Sequence, residues 1–103
     1  IQTTNTSTGW LAYPVLLNED VKFSRKEFQI FLEKRNIQTR VVFTGNILRQ
    51  PMMKGVNFKT NQSGNPNADA VMERGVLLPI HHGMTDSMFQ RLHSTIEEFL
   101  KTI

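Results

Sequence analysis

Apolar positions along the chain fall into short alternating runs and helical stripes that predict three strands and three helices in strict alternation. Trp10 to Leu17 is mostly apolar and contains Pro14, which predicts a strand at a sheet edge or one with a local irregularity. Asn18, Glu19 and Asp20 supply a turn. Ser24-Arg25-Lys26-Glu27 is then an S-x-x-E capping box, flanked by Phe23 and Phe28 as a hydrophobic staple, so a helix starts at Ser24. Phe28, Phe31 and Leu32 share its inner face. Lys34 and Arg35 suit the negative end of the helix dipole, and Asn36 can take the left-handed conformation that closes it.

Gln38 to Phe43 alternates, with Thr39, Val41 and Phe43 on one face and Gln38, Arg40 and Val42 on the other, which predicts a second strand. Gly45-Asn46 breaks it, Pro51 sets a boundary, and the polar stretch from Gly55 to Pro66 reads as a long surface loop. Asn67 to Arg74 fits a short helix capped by Asn67 and stopped by Gly75; Val76 to Ile80 fits a buried strand. After the turn His81-His82-Gly83-Met84, Thr85 caps a last helix with Phe89, Leu92, Ile96, Phe99, Leu100 and Ile103 spaced by three and four. The expected class is α+β, a small and mainly antiparallel sheet with helices on one face and the other face open to a partner. Residues 1–9, polar and Thr-rich, read as a linker or frayed terminus, and residues 10–103 as the domain.

Composition narrows the functional classes. A chain of 103 residues, 39% hydrophobic and 20% charged, matches one globular domain. It has no cysteine, which excludes a disulfide framework, a thiolate zinc site and a thiol nucleophile. Its apolar runs fall far short of the ~20 residues of a membrane helix, and no signal-peptide pattern opens it, so a cytoplasmic location is expected. The pI of about 9.6 goes with a net charge of only +3. The densest basic group, Arg25, Lys26, Lys34 and Arg35, is interrupted by Glu27 and Glu33 and is not interleaved with aromatics, which does not make a nucleic-acid surface.

Candidate chemistry gathers at two places. His81 and His82 lie where a strand gives way to a helix and suit acid, base or ligand roles, although adjacent residues and a remote His93 do not form a metal-ligand spacing. Asn46, Arg49 and Gln50 lie in a loop whose side chains suit hydroxyls and phosphates, Arg49 with a planar donor fork. The ordinary readings are a solvated turn and a wet loop. No serine triad, glycine-rich phosphate loop or Schiff-base lysine stands out, and the methionines read as filler.

Taken together, Phe23-Ser24-Arg25-Lys26-Glu27-Phe28, Ile37-Gln38-Thr39-Arg40, Phe43-Thr44-Gly45-Asn46-Ile47-Leu48-Arg49-Gln50-Pro51 and Leu78-Pro79-Ile80-His81-His82-Gly83-Met84 resemble the C-terminal domain of the DegT-type sugar aminotransferases and dehydratases. These are pyridoxal-phosphate enzymes of the aspartate aminotransferase fold. The likeness runs from Trp10 to the end, and the G-N-x-x-R-Q-P loop resembles the branch of nucleotide-sugar 3-dehydratases of deoxysugar and lipopolysaccharide synthesis. The His81-His82-Gly83 turn departs from that branch's aromatic-Pro-Gly turn, which leaves an aminotransferase open as well.

The resemblance implies a missing N-terminal domain that holds PLP or PMP and the Schiff-base residue, lysine or, in 3-dehydratases, histidine. It also implies a nucleotide-sugar substrate, a homodimer, and a chain that closes over the site without holding a catalytic residue, a metal or the cofactor itself. Arg40 would then lie at the mouth of the site, with Asn46, Arg49 and Gln50 on the loop facing sugar or cofactor and His81 or His82 approaching from the next strand. The alternative is a free-standing basic module that binds nucleic acid or protein.

Overall fold

The computed structural model describes residues 3–103. Its elements run β1 (Tyr13–Leu16), α1 (Arg25–Glu33), β2 (Arg40–Val41), two single 3₁₀ turns (Ile47–Arg49 and Pro51–Met53), α2 (Pro66–Arg74), β3 (Gly75–Leu78) and α3 (Asp86–Leu100). The predicted alternation of strands and helices and the α+β class both hold. Of the expected linker, Ile1 and Gln2 lie outside the described residues, and Thr3 to Gly9 are exposed and belong to no helix or strand.

The sheet is antiparallel in the order β1-β3-β2. Pro14 faces Leu77 across the ladder, and the Leu17 N–H donates to the Arg74 carbonyl at 3.2 Å. Bonding alternates along an antiparallel pair, so Val15 is a bonded position and Pro14 turns its nitrogen to the free edge, where its missing N–H costs the ladder nothing. That is the edge placement Pro14 predicted.

β2 is shorter than the Gln38 to Phe43 alternation suggested. Only Arg40 and Val41 pair with β3, opposite Leu77 and Val76. The strand ends because Phe43 takes a positive φ of 46° and the Gly45 N–H turns back onto the Val42 carbonyl at 3.0 Å. Thr39 is buried as the alternation requires, but Val41 and Phe43 are exposed, since β2 lies at the edge beyond the helices.

α1 is closed at both ends as the sequence specifies. The Ser24 side chain accepts from the Glu27 N–H, and the Glu27 carboxylate accepts from the Ser24 N–H at 2.7 Å. At the far end Asn36 sits at φ 58°, the Ile37 N–H donates to the Leu32 carbonyl and the Asn36 N–H to the Glu33 carbonyl, both at 3.0 Å. This is a Schellman closure, with its apolar partners Ile37 and Leu32 both in the core.

α2 begins one residue before the predicted cap. Pro66, with its fixed φ and no N–H to orphan, occupies the first helical position, so Asn65 and not Asn67 is the N-cap; Gly75 is the C-cap as expected.

Val15, Val76 and Leu78 share the covered face of the sheet, where Phe28 and Leu32 of α1 and Phe99 of α3 complete the core with Leu17 and Ile37. Phe99 is its hub, with ring centroids 4.8 Å from Phe23, 5.2 Å from Phe28 and 5.0 Å from Phe31. Of the predicted α3 stripe, Phe99 is buried and Leu92 and Ile96 pack against the core, whereas Phe89, Leu100 and Ile103 stay exposed and Thr95 is buried. Arg35 pins α1 to α3, stacking over Phe31 at 3.4 Å and pairing with Glu98. The opposite face carries Pro14, Leu16, Leu77 and Arg40 and has no helix from this core over it.

Replacing Ser24 with Ala should lower unfolding stability by about 1 kcal/mol, the usual cost of a lost N-cap. The denaturant midpoint should fall with an unchanged slope; an unmoved midpoint would remove the cap from the stability of the fold.

Candidate functional site

The six candidate residues separate into two places, and α2 explains the division. The Thr44–Pro51 loop lies directly on α2: a Cβ added to Gly45 would meet the Met72 Cβ at 2.2 Å, and Gly45 has φ +65°. Glycine is needed here for both the backbone conformation and the contact. Asn46, next to it, is buried; its Oδ1 accepts from the Leu48 N–H at 3.0 Å and its Nδ2 donates to Asp69 Oδ1 at 2.7 Å.

Arg49 approaches the same carboxylate with one edge of its guanidinium, Nε to Oδ1 at 3.0 Å and Nη2 to Oδ2 at 2.9 Å. Gln50 Nε2 donates to the Thr44 carbonyl at 3.0 Å and lies 3.7 Å from Met72 Sδ. The three loop candidates thus meet on one helix. The bonds from Arg49, with the one from Asn46, hold the Asp69 carboxyl down at about 2, against its ordinary 3.8. Asp69 in turn raises the Arg49 pKa above its ordinary value.

Asp69 is the residue that the sequence reading missed. Its only signal was an acid in the first turn of a short helix, which the dipole alone accounts for. Nothing in the sequence marks Arg49 and Asp69, 20 positions apart, as partners.

Arg40 and His81 are brought together elsewhere. They line a groove of about 240 Å³ with Gln38, over an apolar floor from Leu77, Leu78, Pro79 and Ile80. His81 Nδ1 accepts from the Gly83 N–H at 3.1 Å, which in the neutral ring puts the proton on Nε2. His82 does not line this groove; its exposed ring stands at 82° to that of His81, with centroids 6.4 Å apart.

Arginine availability distinguishes the two places. Arg25 donates to the Met72 and Gly75 carbonyls, Arg35 pairs with Glu98, Arg74 donates to the Leu17 carbonyl and Glu19, and Arg91 donates to the Arg35 carbonyl. With Arg49 held by Asp69, Arg40 is the one arginine among the described residues whose guanidinium has no partner in the chain. The same pairings take most guanidiniums out of any basic surface. Among the described residues no three His, Asp or Glu side chains form a metal-ligand group, and no helix is long and apolar enough to cross a membrane.

A free guanidinium and an imidazole lining one groove, with apolar residues from the strand end, suit phosphate or hydroxyl groups. Known proteins give this arrangement a context. Residues 1–97 match the DegT/DnrJ/EryC1/StrS aminotransferase family. The chain belongs to this family.

A dTDP-4-dehydro-2,6-dideoxy-D-glucose 3-dehydratase of Saccharopolyspora spinosa is 31% identical over 97% of the chain, which covers 21% of that protein. The lipopolysaccharide biosynthesis protein RfbH of Salmonella typhimurium is 30% identical over 94% of the chain, which covers 22% of it. In three dimensions, a DegT DnrJ EryC1 StrS aminotransferase of Brucella abortus superposes with a TM-score of 0.70 at 16% identity, over 85% of this chain and 22% of that one, which shows the shared fold. The chain therefore spans about a fifth of the length of these family members.

The α2 contact has two measurable consequences. Gly45→Ala should destabilise the fold by at least about 2 kcal/mol more than Gly55→Ala, because both carry a positive φ but only Gly45 meets a neighbour; equal thermal shifts would contradict the close approach. The Asp69 contribution to stability should be complete above its ordinary 3.8 and disappear as pH falls through about 2, since its folded pKa is the lower one. A carboxyl-carbon NMR titration of Asp69 should have its midpoint near 2, and Arg49→Lys should move it upward.

Proposed function

We propose that this chain is the C-terminal closing domain of a larger pyridoxal-phosphate or pyridoxamine-phosphate enzyme acting on a nucleotide-linked keto-deoxysugar. The reaction is amino transfer or removal of the C-3 hydroxyl, in deoxysugar or lipopolysaccharide synthesis in the cytoplasm. The support is the family match together with two relatives, named for dideoxysugar dehydration and for lipopolysaccharide synthesis, that align with nearly the whole chain. On this reading residues 10–103 close over a site built by an N-terminal domain, in a homodimer.

The donor set of the chain fits a lining role and not a holding one. On this reading the Schiff-base position, lysine or histidine, belongs to the N-terminal domain, and the groove of Arg40 and His81 has no lysine in its lining. The cofactor, held there, supplies the electron sink for chemistry beside the keto group. Arg40 supplies a planar fork for a phosphate or vicinal hydroxyls of the sugar nucleotide, and His81 offers Nε2–H from the adjoining turn. The floor from Leu77 to Ile80 excludes water from that side. The loop of Asn46, Arg49 and Gln50 forms a wall of the cleft, and His82 lies at its rim.

The observation that carries the site is the unpartnered guanidinium of Arg40 in a groove it shares with His81. In the full-length enzyme Arg40→Ala should lower kcat/KM for the nucleotide sugar at least about tenfold, equivalent to roughly 1.4 kcal/mol of transition-state binding. An exposed arginine without a ligand would change stability by no more than about 0.5 kcal/mol and leave turnover alone. Steady-state kinetics paired with a thermal melt separates these, and wild-type kinetics would take Arg40 out of the site.

A further inference from the structure

We propose that Asp69 is a positioning residue for Arg40, acting through the Thr44–Pro51 loop that it fastens to α2. For its catalytic consequence this rests on the function proposed above; the fastening itself does not.

β2 cannot hold Arg40 by its own pairing. It forms only two ladder positions, on a sheet edge, and is followed two residues on by the exposed, left-handed Phe43. So short a strand has little stability of its own, because the backbone entropy lost in fixing each residue offsets the modest net gain of each hydrogen bond. The next stretch of chain is better anchored. At Gly45 the backbone rests against Met72, and the side chains of Asn46 and Arg49 converge on one carboxylate.

That carboxylate receives one bond from Asn46 and two from Arg49. Bonds to a charged acceptor are the strong class, and the bidentate guanidinium pairing fixes orientation as well as distance. Asp69 belongs to α2, which runs directly into β3, the strand that pairs with β2. The segment from Arg40 to Arg49 is therefore held at both ends by one continuous piece of chain, Asp69 at one end and Leu77 at the other. The buried Thr39, bonded to Gln29 and Glu33 of α1, holds the chain before Arg40, so releasing Asp69 loosens the side that follows it, where only the two-residue strand remains.

Arg49 on this account is not a ligand donor. Its Nε and Nη2 edge is already used, and a phosphate would have to displace Asp69 to take that edge of the fork. The motif arginine serves the site by holding the loop, and Arg40, the free arginine, makes the contact.

Asp69→Asn tests this in the 103-residue chain by residue-resolved amide hydrogen exchange near neutral pH. Because Val15 and Val76 bond to each other, Leu77 turns its N–H toward Arg40, so Leu77 and Leu48 report the β2 pairing and the loop, while Val15 and Val76 report the fold. The expected result is exchange at least about tenfold faster at Leu77 and Leu48, with Val15 and Val76 unchanged. Arg49→Lys should reproduce part of the effect, and the exchanged pair Arg49→Asp with Asp69→Arg should restore part of the protection. A second readout is the Arg49 Nε–H resonance, slow to exchange in the wild type and fast in Asp69→Asn.

Unchanged exchange at Leu77 and Leu48 overturns the proposal. So does an equal rise at Val15 and Val76, which would make Asp69 a contributor to global stability alone. These measurements need no substrate. If they succeed while the full-length enzyme fails to turn over any nucleotide sugar, the functional reading falls and the fastening stands. In an active full-length enzyme, Asp69→Asn and Arg40→Ala should be non-additive in kcat/KM; full additivity would deny that Asp69 acts through Arg40.

Discussion

The arrangement depends on Gly75, where α2 becomes β3 without an intervening loop. A Cβ at this position would lie 2.5 Å from the Val71 carbonyl oxygen and 2.9 Å from Val42 Cγ2, so a larger residue would push apart the last turn of α2 and the end of the β2 segment. A helix that stops so abruptly leaves carbonyls without partners. Arg25 Nη1 donates to those of Met72 and Gly75, at 2.6 and 3.3 Å, and the neighbouring Arg74 donates to the Leu17 carbonyl at 2.7 Å. One backbone junction is thereby tied to the start of α1, the end of β1 and the turn after β2.

From that junction the rest of the site acquires its geometry. Asp69 lies six residues before Gly75, about 9 Å along the axis of a helix. The carboxylate that fastens the loop and the strand that pairs with Arg40 therefore occupy opposite ends of one rigid strut. The core fixes the strut in turn, because Val76 and Leu78 are packed under Phe28, Leu32 and Phe99. Order thus passes from the aromatic seam around Phe99 to β3, from β3 to α2, and only then to the loop.

Local chemistry made much of this readable in advance. The capping box at Ser24, the left-handed Asn36, the edge position of Pro14 and the stop at Gly75 each follow from a few adjacent residues, and the structure has all four. The failures are where distance in sequence decides. The alternation around Val41 and Phe43 describes a half-buried strand, but burial depends on what covers β2, and as an edge strand it lies beyond the helices. Asn67 was the wrong cap because the residue before it, Pro66, already suits the first helical position. The family resemblance agreed with the order of elements that the apolar pattern predicts, yet it gave no sign that Asn46, Arg49 and Gln50 converge on α2, since Asp69 is invisible to any local pattern.

The same contrast governs how charge should be read in this chain. Twelve Lys and Arg residues against nine Asp and Glu give +3, which on paper offers many cations to an anionic ligand. Folding uses most of the guanidiniums as structural donors, because the planar fork suits carbonyls and carboxylates within the chain as well as it suits phosphate outside it. Arg25 and Arg74 satisfy helix-end and strand-end carbonyls, Arg35 covers an aromatic ring, and Arg49 is held by Asp69. A motif arginine therefore identifies a place where a fork is needed without saying whether the fold or the ligand takes it. Here the conspicuous Arg49 is bonded within the fold, and the inconspicuous Arg40, on a two-residue edge strand, is among the described residues the one arginine left with its donors free.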